Sequence, residues 1–133
     1  RNYTMNYHEP LRSPFYPNEF LIINVGIASL EYYKETGGLD CKFEVTAMAH
    51  ADWGARAQLD GAPIHFLQEV LFECTQFVGP IEDHAPVHYA QIEHDQPLYA
   101  AIWRSSKCLK RKVDFDNWQD AEVVWKKRFE DVE

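Results

Sequence analysis

Two side chains near the middle of the chain have residue types and a spacing that suit proton transfer. His65 precedes Glu69 by four residues, and on a helix that spacing lets the carboxylate orient the imidazole as a general base. Glu73 lies one turn further along and could act as an acid if a partner subunit buried it, since burial favours a protonated carboxyl group. The alternative is that both are solvated residues on the polar side of a helix.

The other histidines give weaker indications of a site. His50 and Asp52 form a His-x-Asp pattern, which fits the edge of a site or half of a metal site, but two residues do not define one. A strand containing His88 and His94 would separate their side chains by about 20 Å. We therefore predict no metal site and no cofactor.

A basic group stands out in a chain whose formal net charge is −8. Five of the thirteen basic side chains fall within nine positions: Arg104, Lys107, Lys110, Arg111 and Lys112. One interpretation is a docking surface for an acidic partner, formed by Arg104, Lys107, Lys110 and Arg111. The other is a solvated edge strand whose lysines oppose aggregation.

Size and composition indicate one globular domain. The chain has 133 residues, 46% hydrophobic and 14% aromatic, which is enough for one core. The acidic balance disfavours nucleic acid and anionic membranes as partners, and no apolar run approaches the ~18–20 residues of a membrane span. Three widely spaced cysteines are typical of reduced thiols, so we expect a cytoplasmic location.

The elements that position these residues are predicted to be one central helix and several strands. The helix is predicted over about 61–78, because Asp60 can cap its start and Pro63 suits its first turn. The pair Gly79-Pro80 would end it. Glycines predict a turn over 35–38. Period-two apolar patterns predict strands over 20–33, 41–49, 87–94 and 98–104, and are compatible with another over 107–115. Residues 1–19 contain three prolines and predict an extended arm, whereas 20–133 predict a single domain.

A hairpin, then a helix, then further strands is the element order of the hot-dog fold, an α+β fold in which an antiparallel sheet wraps one central helix. Residues 18–79 resemble the β-hydroxyacyl-ACP dehydratases. The resemblance is carried by Phe20–Ile23, Glu35–Gly38, Gly61, Pro63-Ile64, Val70-Leu71, Gln76 and Gly79.

The resemblance also shows where this chain departs from the family's chemistry. The position that matches the family's catalytic histidine is Gln58, which cannot accept a proton. The position that matches its acid is Phe72, with Glu73 one residue later, and Phe66-Leu67 replaces a Pro-Gly pair. Dehydration by the family's own mechanism is therefore not expected.

Two functions follow as hypotheses. The first is a homodimeric protein that acts on or binds an acyl thioester of an acyl carrier protein or CoA, as a dehydratase or thioesterase. Its predicted catalytic residues are His65, Glu73 and Gln58, and its predicted substrate-binding residues are Gly61, Pro63, Leu67 and Phe72. The second is a non-catalytic accessory, immunity-type or partner-binding protein, favoured by the negative charge and by aromatic residues expected to be exposed: Phe72 and some of Tyr32, Tyr33, Trp53 and Trp103.

Overall fold

The structure is a computed structural model, and it describes residues 20, 21, 23, 27–65, 81–104 and 111–120. It contains helices α1 (Leu30–Glu35), α2 (Thr46–Leu59), α3 (Ile81–Tyr89) and α4 (Gln96–Trp103). A π-helical segment (Ala90–Asp95) connects α3 to α4, and a 3₁₀ helix spans Phe115–Asp120. None of the described helices is long and apolar enough to cross a membrane.

The predicted hot-dog fold, an antiparallel sheet around a central helix, is wrong. The described residues are mostly helical, and among them only an isolated bridge at Leu21 has strand-type pairing. The predicted strands over 87–94 and 98–104 belong to the continuous helical run from α3 to α4, and the last residues of the predicted 20–33 strand form the start of α1. Short apolar segments fit both periods, and tertiary packing decided between them.

The predicted strand over 41–49 forms instead a turn followed by the start of α2. This helix carries five alanines, the residue with the highest helix propensity, and their spacing at every second position imitates a strand. Residues 51–57 of α2 are all buried, so α2 is the most enclosed helix of the described chain. Gly54 packs closely within it, because a Cβ there would lie 3.0 Å from the Ile23 side chain, which would have to shift by a few tenths of an ångström.

The central helix predicted over about 61–78 does not begin where expected. Asp60 is the C-cap of α2, and Gly61, at φ +91°, ends that helix. The N–H groups of Gly61 and Ala62 donate to the carbonyls of Gln58 and Ala57, which is the Schellman pattern. Residues 61–65 are not helical, and 66–80 lie outside the described residues. An Asp-Gly pair suits either end of a helix, which explains the error.

The predicted glycine turn over 35–38 is confirmed, and it ends α1 in the same way. Gly37 and Gly38 have φ values of +84° and +64°, and they donate to the carbonyls of Lys34 and Tyr33. At the other end of α1, Ser29 accepts a hydrogen bond from the N–H of Tyr32.

A continuous helical run brings the second half of the core against α2. Its π-helical part ends directly before α4, whose second residue is Pro97. Proline donates no hydrogen bond and crowds the carbonyl four residues earlier, so a regular α-helical ladder cannot pass through this point. Tyr99, Ala100 and Trp103 of α4 are buried and share one helical face.

Aromatic and alanine side chains make up the core between these helices. Its buried members are Phe43, Ala49, Ala51, Ala55, Tyr99 and Trp103. The rings of Phe43 and Tyr99 lie 6.4 Å apart and those of Tyr99 and Trp103 6.1 Å apart, within the range of favourable aromatic pairs. Small alanines on α2 let these large rings approach the helix closely.

Gly37 and Gly61 both have positive φ, but only Gly37 is in close contact with another part of the chain. Substituting each therefore separates the effect of backbone conformation from that of steric contact. A Cβ at Gly37 would lie 1.7 Å from the Val113 carbonyl oxygen, whereas one at Gly61 would meet no atom within 4 Å. We expect Gly61→Ala to lower the free energy of unfolding by about 1–2 kcal/mol and Gly37→Ala by about 2–5 kcal/mol. Urea denaturation measures both, and equal losses would contradict the close contact with Val113.

The Tyr32 hydroxyl connects α1 to the end of α2 and gives the fold a response to high pH. It donates to the Asp60 carboxylate at 3.1 Å, and burial raises its pKa to about 12, with the Asp60 hydrogen bond and charge adding to the effect. Unfolded tyrosine ionises near pH 10, so this stabilisation is present below pH 10 and lost as the pH rises to 12.

We expect the difference in tyrosinate absorbance between the wild type and Tyr32→Phe to have a midpoint near pH 12. The exposed Tyr89 supplies the control, Tyr89→Phe, measured in the same titration. A midpoint near pH 10 for Tyr32 would contradict the burial and the Asp60 hydrogen bond as described.

Candidate functional site

A buried ion cluster fixes the position of the chain around α2. The fully buried Asp52 carboxylate accepts hydrogen bonds from Arg56 Nε at 3.0 Å, Trp103 Nε1 at 3.0 Å and Arg111 Nε at 2.9 Å. These donors belong to α2, α4 and the segment before the 3₁₀ helix. One carboxylate therefore connects three separate parts of the chain.

The two arginines extend the cluster to the end of α1. Arg56 donates to the carbonyls of Thr36 and Gly38, which would otherwise lack partners at a helix end. Arg111 also binds the buried Asp40 carboxylate. Burial alone would lower the pKa of Arg111, but the Asp52 and Asp40 charges outweigh it and raise that pKa. Both arginines therefore have a structural role.

Neutralising Asp52 should destabilise the protein strongly, because Arg56 and Arg111 would lose their shared counter-ion. We expect Asp52→Asn to lower the free energy of unfolding by about 3–5 kcal/mol, measured by urea denaturation. Glu93→Gln, which alters an exposed carboxylate, is the control and should change stability by less than about 0.5 kcal/mol. A similar small loss for Asp52→Asn would show that the cluster does not hold the fold.

A groove of about 390 Å³ opens beside this cluster, between α2 and the 3₁₀ helix. Four aromatic residues contribute to its lining, namely Tyr33, Phe43, Phe115 and Trp118. Its described lining also includes Glu44 and Asp40 and no basic residue; the buried Asp40 carboxylate is paired with Arg111, so Glu44 supplies the carboxylate for a ligand. Aromatic faces and carboxylates both attract cations, so the groove is suited to a positively charged ligand.

The 3₁₀ helix presents two of these aromatic rings. Phe115 and Trp118 are three residues apart, and that spacing places side chains on the same face of a 3₁₀ helix. They are 38% and 62% exposed, which is unusual for such large apolar side chains. The ammonium of Lys34 lies 5.8 Å from the Phe115 ring centroid, so this ring already makes a cation–π contact, whereas Trp118 offers the more accessible face.

Asn117 holds the 3₁₀ helix against the loop that follows α1. Its side-chain oxygen accepts from the Cys41 N–H at 2.6 Å, and its amide donates to the Leu39 carbonyl at 3.1 Å. The Cys41 thiol donates to the Asn117 carbonyl at 2.9 Å. These bonds link positions 76–78 residues apart in sequence and fix one wall of the groove.

A second group of chemically active side chains lies where the π-helical segment meets the loop before α2. His94 Nδ1 lies 2.8 Å from Asp95 Oδ1 and 3.8 Å from Glu44 Oε1. Asp95 is fully buried and accepts the backbone N–H groups of Glu44 and Val45. Glu44 also lines the groove, so the two features are adjacent.

The predicted catalytic and substrate-binding residues are not brought together among the described residues. Gln58 lies on α2, where its side-chain amide donates to the Leu21 carbonyl and accepts the Leu21 N–H, both at 2.9 Å, a structural role. Gly61, Pro63 and His65 are exposed in the segment after α2. Leu67, Phe72 and Glu73 lie outside the described residues.

The predicted basic docking surface is described only in part. Arg104 is exposed at the end of α4, but Arg111 points into the ion cluster, where its side chain is 15% exposed. Lys107 and Lys110 lie outside the described residues. Of the His50–Asp52 pair, Asp52 is in the ion cluster and His50 lines a separate cavity of about 230 Å³.

The prediction of exposed aromatic residues is wrong for two of the named tryptophans. Trp53 and Trp103 are buried, and the Trp53 indole donates to the Thr36 hydroxyl at 2.8 Å. Among the described aromatic residues, Trp118, Tyr89 and Phe115 are exposed instead, at 62%, 56% and 38%. The sequence signal for the groove was Asp114–Trp118, in which two aromatic residues lie among two aspartates and an asparagine.

Comparisons with known proteins identify no relative. No family model matches the chain, and neither the curated proteins nor the solved structures contain a match.

Proposed function

We propose that this protein is a partner-binding module that receives a positively charged segment of another protein in the groove beside the 3₁₀ helix. The observation that carries the proposal is the exposed Trp118 ring on a groove that Glu44 also lines. An exposed aromatic residue beside a carboxylate suits a lysine or arginine side chain, whose charge interacts with the ring face and with the acid.

Charge favours the same class of partner. The chain has a formal net charge of −8, and the exposed Asp114 and Asp116 flank Phe115. A field of this sign attracts basic partners and speeds their association at low ionic strength. The rigid setting of the groove, fixed by Asn117 and the ion cluster, reduces the entropy lost on binding.

The acyl-thioester hypothesis, with its homodimer and its acyl carrier or CoA partner, depended on the hot-dog fold, and no described feature now favours it. It stays a prediction, and turnover of acyl-CoA substrates would support it. The cytoplasmic location also stays a proposal; it is supported by the hydrogen-bonded thiol of Cys41, and cell fractionation tests it.

The binding proposal can be tested with fluorescently labelled peptides. We expect the protein to bind a lysine- and arginine-rich peptide, with an affinity that falls as salt is raised, and not an acidic peptide of equal length. Trp118→Ala should weaken binding about tenfold, the equivalent of ~1.4 kcal/mol. Fluorescence anisotropy measures these affinities.

The matched control is Tyr89→Ala, because Tyr89 is an aromatic residue of similar exposure on α3 that does not line the groove. It should leave binding unchanged. Equal affinity for the acidic peptide, or equal losses in the two variants, would overturn the proposal.

A further inference from the structure

The group formed by Glu44, His94 and Asp95 has the arrangement of a metal site. The donor atoms of the three side chains all lie within 4.8 Å of one another. Ligands about 2.1 Å from one ion are roughly 3.0–3.4 Å apart in octahedral or tetrahedral geometry. The distances of 2.8 and 3.8 Å from His94 Nδ1 to its two neighbours lie within several tenths of an ångström of these values.

Two backbone hydrogen bonds hold Asp95, the central ligand, in place and use one acceptor position on each of its carboxylate oxygens. Asp95 Oδ2 accepts the Val45 N–H at 2.7 Å, and Oδ1 accepts the Glu44 N–H at 2.9 Å. Because each carboxylate oxygen has two lone pairs, Oδ1 has a second one, which makes the 2.8 Å contact with His94 Nδ1. Hydrogen bonds of this kind orient the carboxylate ligands of metal sites.

The surroundings also leave the three ligands accessible to an ion from solvent. The Asp95 side chain is fully buried, that of Glu44 is 15% exposed and that of His94 is 41% exposed, so an ion would be held on one side and open to water on the other. His94 and Asp95 end a π-helical segment, and such segments are rare and concentrated at functional sites.

We propose that Glu44, His94 and Asp95 bind a divalent transition-metal ion, with Zn²⁺ as the reference ion. One imidazole and two carboxylates fit Zn²⁺, Mn²⁺, Fe²⁺ or Co²⁺, whereas Mg²⁺ and Ca²⁺ prefer oxygen ligands alone. Binding uses the lone pair of Nδ1, so the imidazole proton lies on Nε2 and the His94–Asp95 hydrogen bond is replaced by two bonds to the ion. Three protein ligands leave positions for water.

The proposal does not depend on the basic-partner function, although Glu44 belongs to both sites. His94→Ala should weaken metal binding at least about tenfold and leave the affinity for the basic peptide unchanged. Trp118→Ala should do the reverse. The failure of one proposal can therefore be distinguished from the failure of the other.

The test is a titration of the chelator-treated full chain with Co²⁺, followed by visible absorption, and with Zn²⁺, followed by calorimetry. We expect one ion per chain, with affinity at least about tenfold weaker in His94→Ala and in Glu44→Gln. The controls His88→Ala and Glu93→Gln alter exposed neighbours on the same helical run and should bind as the wild type. Asp95→Asn is avoided because Asp95 also holds the start of α2.

A second measurement distinguishes metal binding from a purely structural role of the His94–Asp95 hydrogen bond. Zn²⁺ should shift the ¹⁵N resonance of His94 Nδ1 and fix the Nε2–H tautomer, whereas His88 should not respond. No binding below about 1 mM metal, equal affinity in His94→Ala, or a response at His88 in place of His94 would each overturn the proposal.

Discussion

The Asp52 carboxylate is the constraint on which the described structure depends. It is fully buried and its three donors come from α2, α4 and the segment before the 3₁₀ helix. A buried carboxylate without partners would be very costly, so these segments must stay together to supply its hydrogen bonds. Arg56 extends the constraint to the end of α1 through the Thr36 and Gly38 carbonyls.

The groove and the metal-ligand group both depend on this arrangement. Arg111 binds Asp40 on the loop after α1. Asn117 holds the 3₁₀ helix, which follows Arg111, against the same loop. The same loop continues to Glu44 and Val45, whose N–H groups bind Asp95. The segment from Gly37 to Val45 is thus held from both sides, and its polar atoms are set in place for binding.

The two proposed sites bind different kinds of ligand, but both attract positive charge. The groove combines aromatic rings with a carboxylate, and the adjacent group combines an imidazole with carboxylates, so each is suited to a positive charge. In a chain with a net charge of −8, the acidic surface that attracts such ligands also contributes self-repulsion within the protein. A bound cation would relieve part of it.

The sequence by itself determined the features that depend on local backbone chemistry. The glycine turn over 35–38 was predictable because only glycine readily adopts positive φ. The sequence did not decide between helix and strand for α2 and for 98–104, because the alternating alanines of α2 and the apolar pattern of 98–104 fit both periods. Only the tertiary structure decided that, by burying Asp52 against Trp103 and Arg111, residues 51 and 59 positions away. For the same reason the meeting of Glu44 with His94 and Asp95 could not be predicted, since contacts between distant positions arise only once the helices pack.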